Sequence, residues 1–120
     1  APINMMYALY QSLLDIENEG LDNVLNRHIN VHNKLVRGLE ELDLKMLVNE
    51  QSRLYSLNAV KIPDGVDDIH IRSKLLNDYD IEIGGGLGPF AGKLWRIGLM
   101  GYSANEENVN KLLKALNHLL

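Results

Sequence analysis

The sequence predicts an α+β domain, a mainly antiparallel sheet with helices packed on one face. Three observations carry this reading. Apolar residues recur at helical spacing at both ends of the chain, and shorter β-branched or alternating runs fill the middle. The order of elements, two helices, two strands, helix, strand, loop, strand, helix, lacks the regular strand–helix alternation of a doubly wound nucleotide fold.

Pro2 suits a first helical turn, and Ile3, Met6, Tyr7, Tyr10, Leu13 and Leu14 follow at helical spacing until Gly20, a residue free to cap in a left-handed conformation. The spacing restarts at Leu21 and runs through Val24, His28, Val31, Leu35 and Leu39 to Leu42, a second and longer amphipathic helix. Residues 45–48 and 54–62 read as strands, the second ending at the turn Pro63-Asp64-Gly65. Asp67 and Asp68 open a short helix through Leu75, Leu76 and Tyr79, where negative charge complements the positive helix start. Ile81-Glu82-Ile83 reads as a short strand, and Lys93 to Leu99 as another, alternating Trp95, Ile97 and Leu99 with Leu94, Arg96 and Gly98. Ser103 and Glu106 have the spacing of a capping box ahead of a last helix through Val109, Leu112, Leu116 and Leu119.

At 120 residues the chain has the size of one domain, 1–120, with Ala1 to about Gly38 as a two-helix N-terminal segment and the remainder an α/β sandwich. The apolar fraction of 46% and the charged fraction of 23% belong to a folded chain. A net charge of −4 without a basic stripe argues against nucleic acid as a partner. Cysteine is absent, which removes disulfides and thiolate metal sites. No apolar run is long enough to span a bilayer, and the start shows no targeting pattern; the absence of an initiator Met fits cleavage of Met before Ala1 and equally a piece of something longer.

Five of the ten glycines fall between Gly84 and Gly92. Glycine lets backbone approach a ligand closely, and it also serves a plain wide turn between strands; both readings stand. Gly86 to Ala91 matches GxGxxA formally, but Pro89 interrupts it and a strand follows where a nucleotide site needs a helix. Arg96 alternates with Leu94 and Gly98 on a face unsuited to charge. Its guanidinium needs an anion, either an internal partner among the sixteen acids or a ligand carboxylate, for which its planar fork is suited. His28 and His32 share a helix face at i, i+4, yet no third ligand has matching spacing, so they read as partly buried helix histidines and not as a metal site. Tyr7 and Tyr10 with Met5 and Met6 form an aromatic and thioether patch, for core packing or for an interdomain or subunit contact.

The stretch Ile81 to Gly101, IEIGGGLGPFAGKLWRIGLMG, resembles the C-terminal signature of class V pyridoxal-phosphate aminotransferases, of the alanine–glyoxylate and serine–pyruvate type. The resemblance extends back through Asn18 to Leu21, Arg27-His28 and Pro63 to Gly65, and forward through Ala104 to Val109. It implies the small C-terminal domain of a fold-type I subunit, with Arg96 holding the substrate α-carboxylate and Gly84, Gly85, Gly86, Leu87 and Gly88 forming an active-site loop. The cofactor it implies is pyridoxal 5′-phosphate, held mainly by a large N-terminal domain that also supplies the cofactor-anchoring lysine. None of the seven lysines here stands in a matching motif. The expected parent is a transaminase moving an amino group from alanine or serine to glyoxylate or pyruvate, a homodimer when full length. The expected partners of this piece are its own large domain and a small amino-acid or 2-oxo-acid substrate. The resemblance leaves cytoplasm as the default expectation, with peroxisome or mitochondrion open if the source is eukaryotic. The fragment alone is expected to be inactive, with no catalytic residue and no metal ligand of its own. The alternative is a non-enzymatic module of the same fold that binds a small carboxylate or a protein.

Overall fold

The computed structural model describes all 120 residues. Helix α1 spans Ile3–Glu19 and α2 spans Leu21–Glu41; α3 is Asp68–Tyr79 and α4 is Glu106–Leu119. The strands are β1, Leu57–Lys61, β2, Gly84–Gly85, and β3, Leu94–Gly98, joined antiparallel in the order β1-β3-β2. The fold is thus α+β, with an antiparallel sheet as the sequence predicts.

Period-two alternation in β3 sends Trp95 and Ile97 to the side where α2, α3 and α4 pack. They join Leu35 and Leu39 of α2, Leu75 of α3 and Leu116 of α4 in one core, each of these helix residues fully buried. Gly38 lets α2 approach α4, because a Cβ there would stand 2.1 Å from Leu113 Cδ1. At the corner between the first two helices, Gly20 takes φ 87°, the positive value that glycine tolerates.

Four expectations need correction. Residues 45–48 do not form a strand: only the bridge Met46↔Val60 forms, because the 3-10 turn Glu50–Ser52 carries the chain away. The strand expected over 54–62 is confined to β1, and Leu54 and Tyr55 stand exposed ahead of it. Ile81 to Ile83 is a connection and not a strand. Asp80 closes α3 in the left-handed conformation, and the Ile81 amide turns back to Leu75 O at 2.9 Å, so pairing begins only in the glycine run itself. The helix α4 is capped by Asn105, whose side chain accepts from the Asn108 amide at 2.8 Å. Ser103 is engaged elsewhere, donating its hydroxyl to Met100 O and accepting from the Met100 amide, while Glu106 pairs with Lys34 at 2.6 Å.

Helix α1 also departs from the expectation of an amphipathic core helix. It has no buried residue: Met5, Met6, Tyr7 and Tyr10 are all more than half exposed, so they are not packed in the core of this chain.

Candidate functional site around Arg96

β3 is the central strand, and Arg96 sits in its middle on the face that carries no helix. Its cross-strand neighbours are Ala59 of β1 and Gly84 of β2. Both are small, which leaves the guanidinium room to lie flat across the sheet. Nε donates to the carbonyl of Gly85 at 2.7 Å. A Cβ on Gly84 would stand 3.2 Å from Nη2 and 3.4 Å from Cζ, so the plane of the guanidinium rests against the Gly84 backbone.

The internal ion pair that the sequence left open is not formed. The chain's ion pairs are Arg27–Glu19, Lys34–Glu106, Arg72–Asp68 and Lys74–Asp78, and Arg96 takes part in none of them. Its one hydrogen bond uses Nε, which leaves both terminal nitrogens with no acceptor in the protein. A half-buried guanidinium fixed at Nε and free at its fork is arranged to receive an anion from outside the chain.

The opposite face of β2 holds a second arginine. A Cβ on Gly85 would stand 3.3 Å from the Arg72 guanidinium, so the two glycines of β2 lie between two guanidinium planes. Arg72 grips both carboxylate oxygens of Asp68, at 2.7 and 3.2 Å, and Trp95 Nε1 donates to the same carboxylate at 3.1 Å. Through this network α3 and β3 brace the Gly85 peptide whose carbonyl fixes Arg96. Asp68 reads in the sequence only as a helix-start charge; its i, i+4 spacing to Arg72 is the signal that points to the pair.

The glycine loop is a hairpin connection. Gly86 donates to Leu94 O at 2.8 Å, and its missing side chain is required because a Cβ would fall 1.9 Å from Phe90 O. Gly84 and Gly85 touch Arg96 and Gly86 shapes the hairpin, whereas Leu87 and Gly88 stand at the exposed tip. Density of glycine thus serves the turn and the seating of Arg96 together.

The pair Arg27-His28 has a structural role that the sequence did not disclose. Arg27 takes both oxygens of Glu19 and donates Nη1 to Gly101 O and Ala104 O, and His28 Nε2 accepts from the Gly101 amide at 3.1 Å. Together they latch the segment that leaves β3 onto α2. His28 Nδ1 is occupied by Val24 O, His32 is buried, and no group of three side chains suitable for a metal exists in the chain.

Forty-five per cent of aligned positions are identical to an alanine–glyoxylate aminotransferase from Nostoc sp., whose crystal structure superposes with a TM-score of 0.94 over 99% of this chain and 32% of that one. The chain is homologous to the small C-terminal domain of these class V aminotransferases. The ureidoglycine–glyoxylate aminotransferase of Bacillus subtilis matches this domain with a TM-score of 0.92 and 36% identity, over 97% of this chain and 30% of its own. The alanine–glyoxylate aminotransferase of Mus musculus is 38% identical over 120 residues, which are 99% of this chain and 29% of that protein. The domain therefore spans about a third of the length of the aminotransferases it matches. No family model matches it.

The domain's own residues do not make a pyridoxal phosphate site. The cofactor needs a lysine amine, a partner for its ring nitrogen and donors for its phosphate. Arg96 is flanked by Ala59 and Gly84, without a lysine or carboxylate in register.

Proposed function

We propose that this chain is the substrate-positioning domain of a pyridoxal-phosphate transaminase that moves an amino group from alanine or serine to glyoxylate or pyruvate. The observation that carries the reading is the free fork of Arg96, seated by glycines on a sheet face with no internal acid to neutralise it. Its role is to bind the substrate carboxylate in two hydrogen bonds and so to fix the orientation of the Cα–H bond. The cofactor, held by residues outside this chain, supplies the electron sink for the chemistry. The relatives' names support alanine and glyoxylate as the substrate pair, and the third of their length that this chain covers supports a larger parent. In this reading the parent acts as a homodimer, and the chain contributes no proton-transfer group to it.

The test is Arg96→Ala in the whole polypeptide that carries this chain. Losing charge-assisted hydrogen bonds worth about 1.5–3 kcal/mol raises the KM for the amino substrate by roughly 10- to 100-fold. The cofactor's absorbance stays as it was. Arg96→Lys does not restore the KM, because an ammonium lacks the planar fork. Unchanged kinetics in Arg96→Ala would remove the residue from this role. Turnover by the 120-residue chain alone, mixed with pyridoxal phosphate and alanine, would show that the reading of the chain as an incomplete catalyst is wrong.

A further inference from the structure

His32 is only 4% exposed, yet one of its ring nitrogens has no partner in the protein. Nδ1 lies 2.7 Å from Asn58 Oδ1. Asn58 gives its amide N–H to Ile97 O at 3.3 Å, which turns Oδ1 toward the imidazole as an acceptor and places the proton on Nδ1. Burial holds the ring below the ordinary histidine range; the Asn58 hydrogen bond opposes this and the nearby Arg53 charge adds to it. The ring is therefore neutral near pH 7, and Nε2 carries a lone pair. No fully buried side-chain nitrogen or oxygen in the chain lacks a partner, so Nε2, which has none, reaches the surface.

The surface beside it is an open cleft of about 580 Å³ between α2 and residues 50–55. Arg37 and Glu40 line it from α2, Glu50 and Arg53 from the facing segment. None of the four belongs to an ion pair. The Nε atoms of the two arginines are taken by their own neighbourhood, Arg53 by Val48 O at 2.9 Å and Arg37 by Asn33 O at 3.4 Å, leaving the terminal nitrogens free. Tyr55 packs edge-on against the His32 ring with centroids 5.2 Å apart and walls one side.

Two guanidiniums, two carboxylates and one lone-pair acceptor restrict what fits. A simple anion meets two carboxylates and a neutral nitrogen that cannot donate. A metal ion meets two guanidiniums and lacks a ligand set, since the chain has no group of three suitable side chains. A molecule with both an ammonium and a carboxylate matches every element: N–H groups to Nε2 and the carboxylates, oxygens to the arginines. We propose that this cleft binds a small zwitterion of the free amino acid class, at a site separate from Arg96. The separation follows from β1. Neighbouring residues of a strand face opposite ways, so Asn58 holds His32 on the core side while Ala59 pairs with Arg96 on the other.

The experiment reads the His32 ring by nitrogen NMR in the whole polypeptide labelled with 15N-histidine, the signal being assigned by its loss in His32→Gln. L-alanine is titrated against its two halves, propionate and ethylammonium, at constant ionic strength. Alanine is expected to shift the Nε2 resonance saturably, with each half at least tenfold weaker. Arg37→Gln and Glu40→Gln, both at exposed helix positions, are expected to weaken the alanine response about tenfold. Arg96→Ala leaves it unchanged, which keeps this outcome distinct from that of the substrate role assigned to Arg96. The proposal is overturned if alanine leaves His32 unmoved, if propionate does as well as alanine, if the Arg37 and Glu40 variants respond like the parent, or if Arg96→Ala abolishes the shift.

Discussion

Gly86 and Gly38 both occupy places where a methyl group would collide, but what it would strike differs. At Gly86 it would fall 1.9 Å from the carbonyl oxygen of Phe90, part of a hairpin backbone that cannot move without breaking the turn. At Gly38 the obstacle is the end of the Leu113 side chain, 2.1 Å away, which can change rotamer. Forced overpacking costs about 1–3 kcal/mol, and alanine recovers about 1 kcal/mol of helix propensity at Gly38 but nothing at Gly86. Gly86→Ala therefore lowers the urea midpoint further than Gly38→Ala, and the reverse order would refute the distinction between backbone and side-chain obstacles. His32 gives the residue scale a pH signature. Its folded pKa is depressed, so between that value and the unfolded value of about 6.5 the unfolded chain binds the extra proton. Its stabilising contribution is complete above about pH 6.5 and is lost as pH falls below it. The Glu19 and Glu106 carboxyls, held below the usual carboxylate range by Arg27 and Lys34, act in the same direction, but only below about pH 4.5. Urea midpoints that fall between about pH 7 and about pH 5 in the parent, and less in His32→Gln, bear this out; a flat parent profile refutes it. At this scale Arg96 was legible because a charge among alternating apolar residues demands a partner. The Arg72–Asp68–Trp95 brace was not, because its target is a peptide brought near only by sheet pairing.

Elements were legible where periodicity was long. α1, α2, α3 and α4 lie within a residue or two of the spans that apolar spacing predicts, since ten or more residues of repeating pattern average out single exceptions. β2 is two glycines with no side chains to alternate, so its membership of the sheet exists only in its pairing with Trp95 and Arg96. The start of α4 failed for another reason: Ser103 and Glu106 have capping-box spacing, but each has a stronger competing partner, and the cap passes to Asn105. A cap contributes about 1 kcal/mol, so Asn105→Ala lowers stability by about that amount. Ser103→Ala leaves the α4 cap intact and costs less, since its exposed hydroxyl closes only a short turn. Hydrogen exchange in the first turn of α4 separates the two. Faster exchange at Asn108 is expected in Asn105→Ala alone, and faster exchange there in Ser103→Ala would reinstate the box.

The molecule as a whole is less compact than its length requires. A compact domain of 120 residues has a radius of gyration of about 13.6 Å, whereas this chain measures 15.7 Å, with a longest extent of 45 Å. Helix α1 exposes Met5 at 72%, Tyr7 at 71%, and Met6, Leu9 and Tyr10 near 60%, and has no buried residue. So large a contiguous apolar surface is a contact surface or an aggregation hazard, and the aminotransferases that this chain matches are about three times as long. The sequence disclosed α1 as a helix but not its exposure, because apolar spacing reads the same whether the covering residues lie inside the chain or outside it. In isolation the chain has nothing to cover α1 except another copy, so sedimentation velocity should show association that grows with concentration. Replacing Met6 and Tyr10 together by Glu, one turn apart on one helix face, should return it to a monomer. The same pair should leave the unfolding of the core unchanged, since α1 contributes no buried residue to it. Tyr102→Glu, at a solitary site 98% exposed, should leave association as it was. A parent chain that stays monomeric at high concentration would mean that α1's apolar residues find cover within the chain itself.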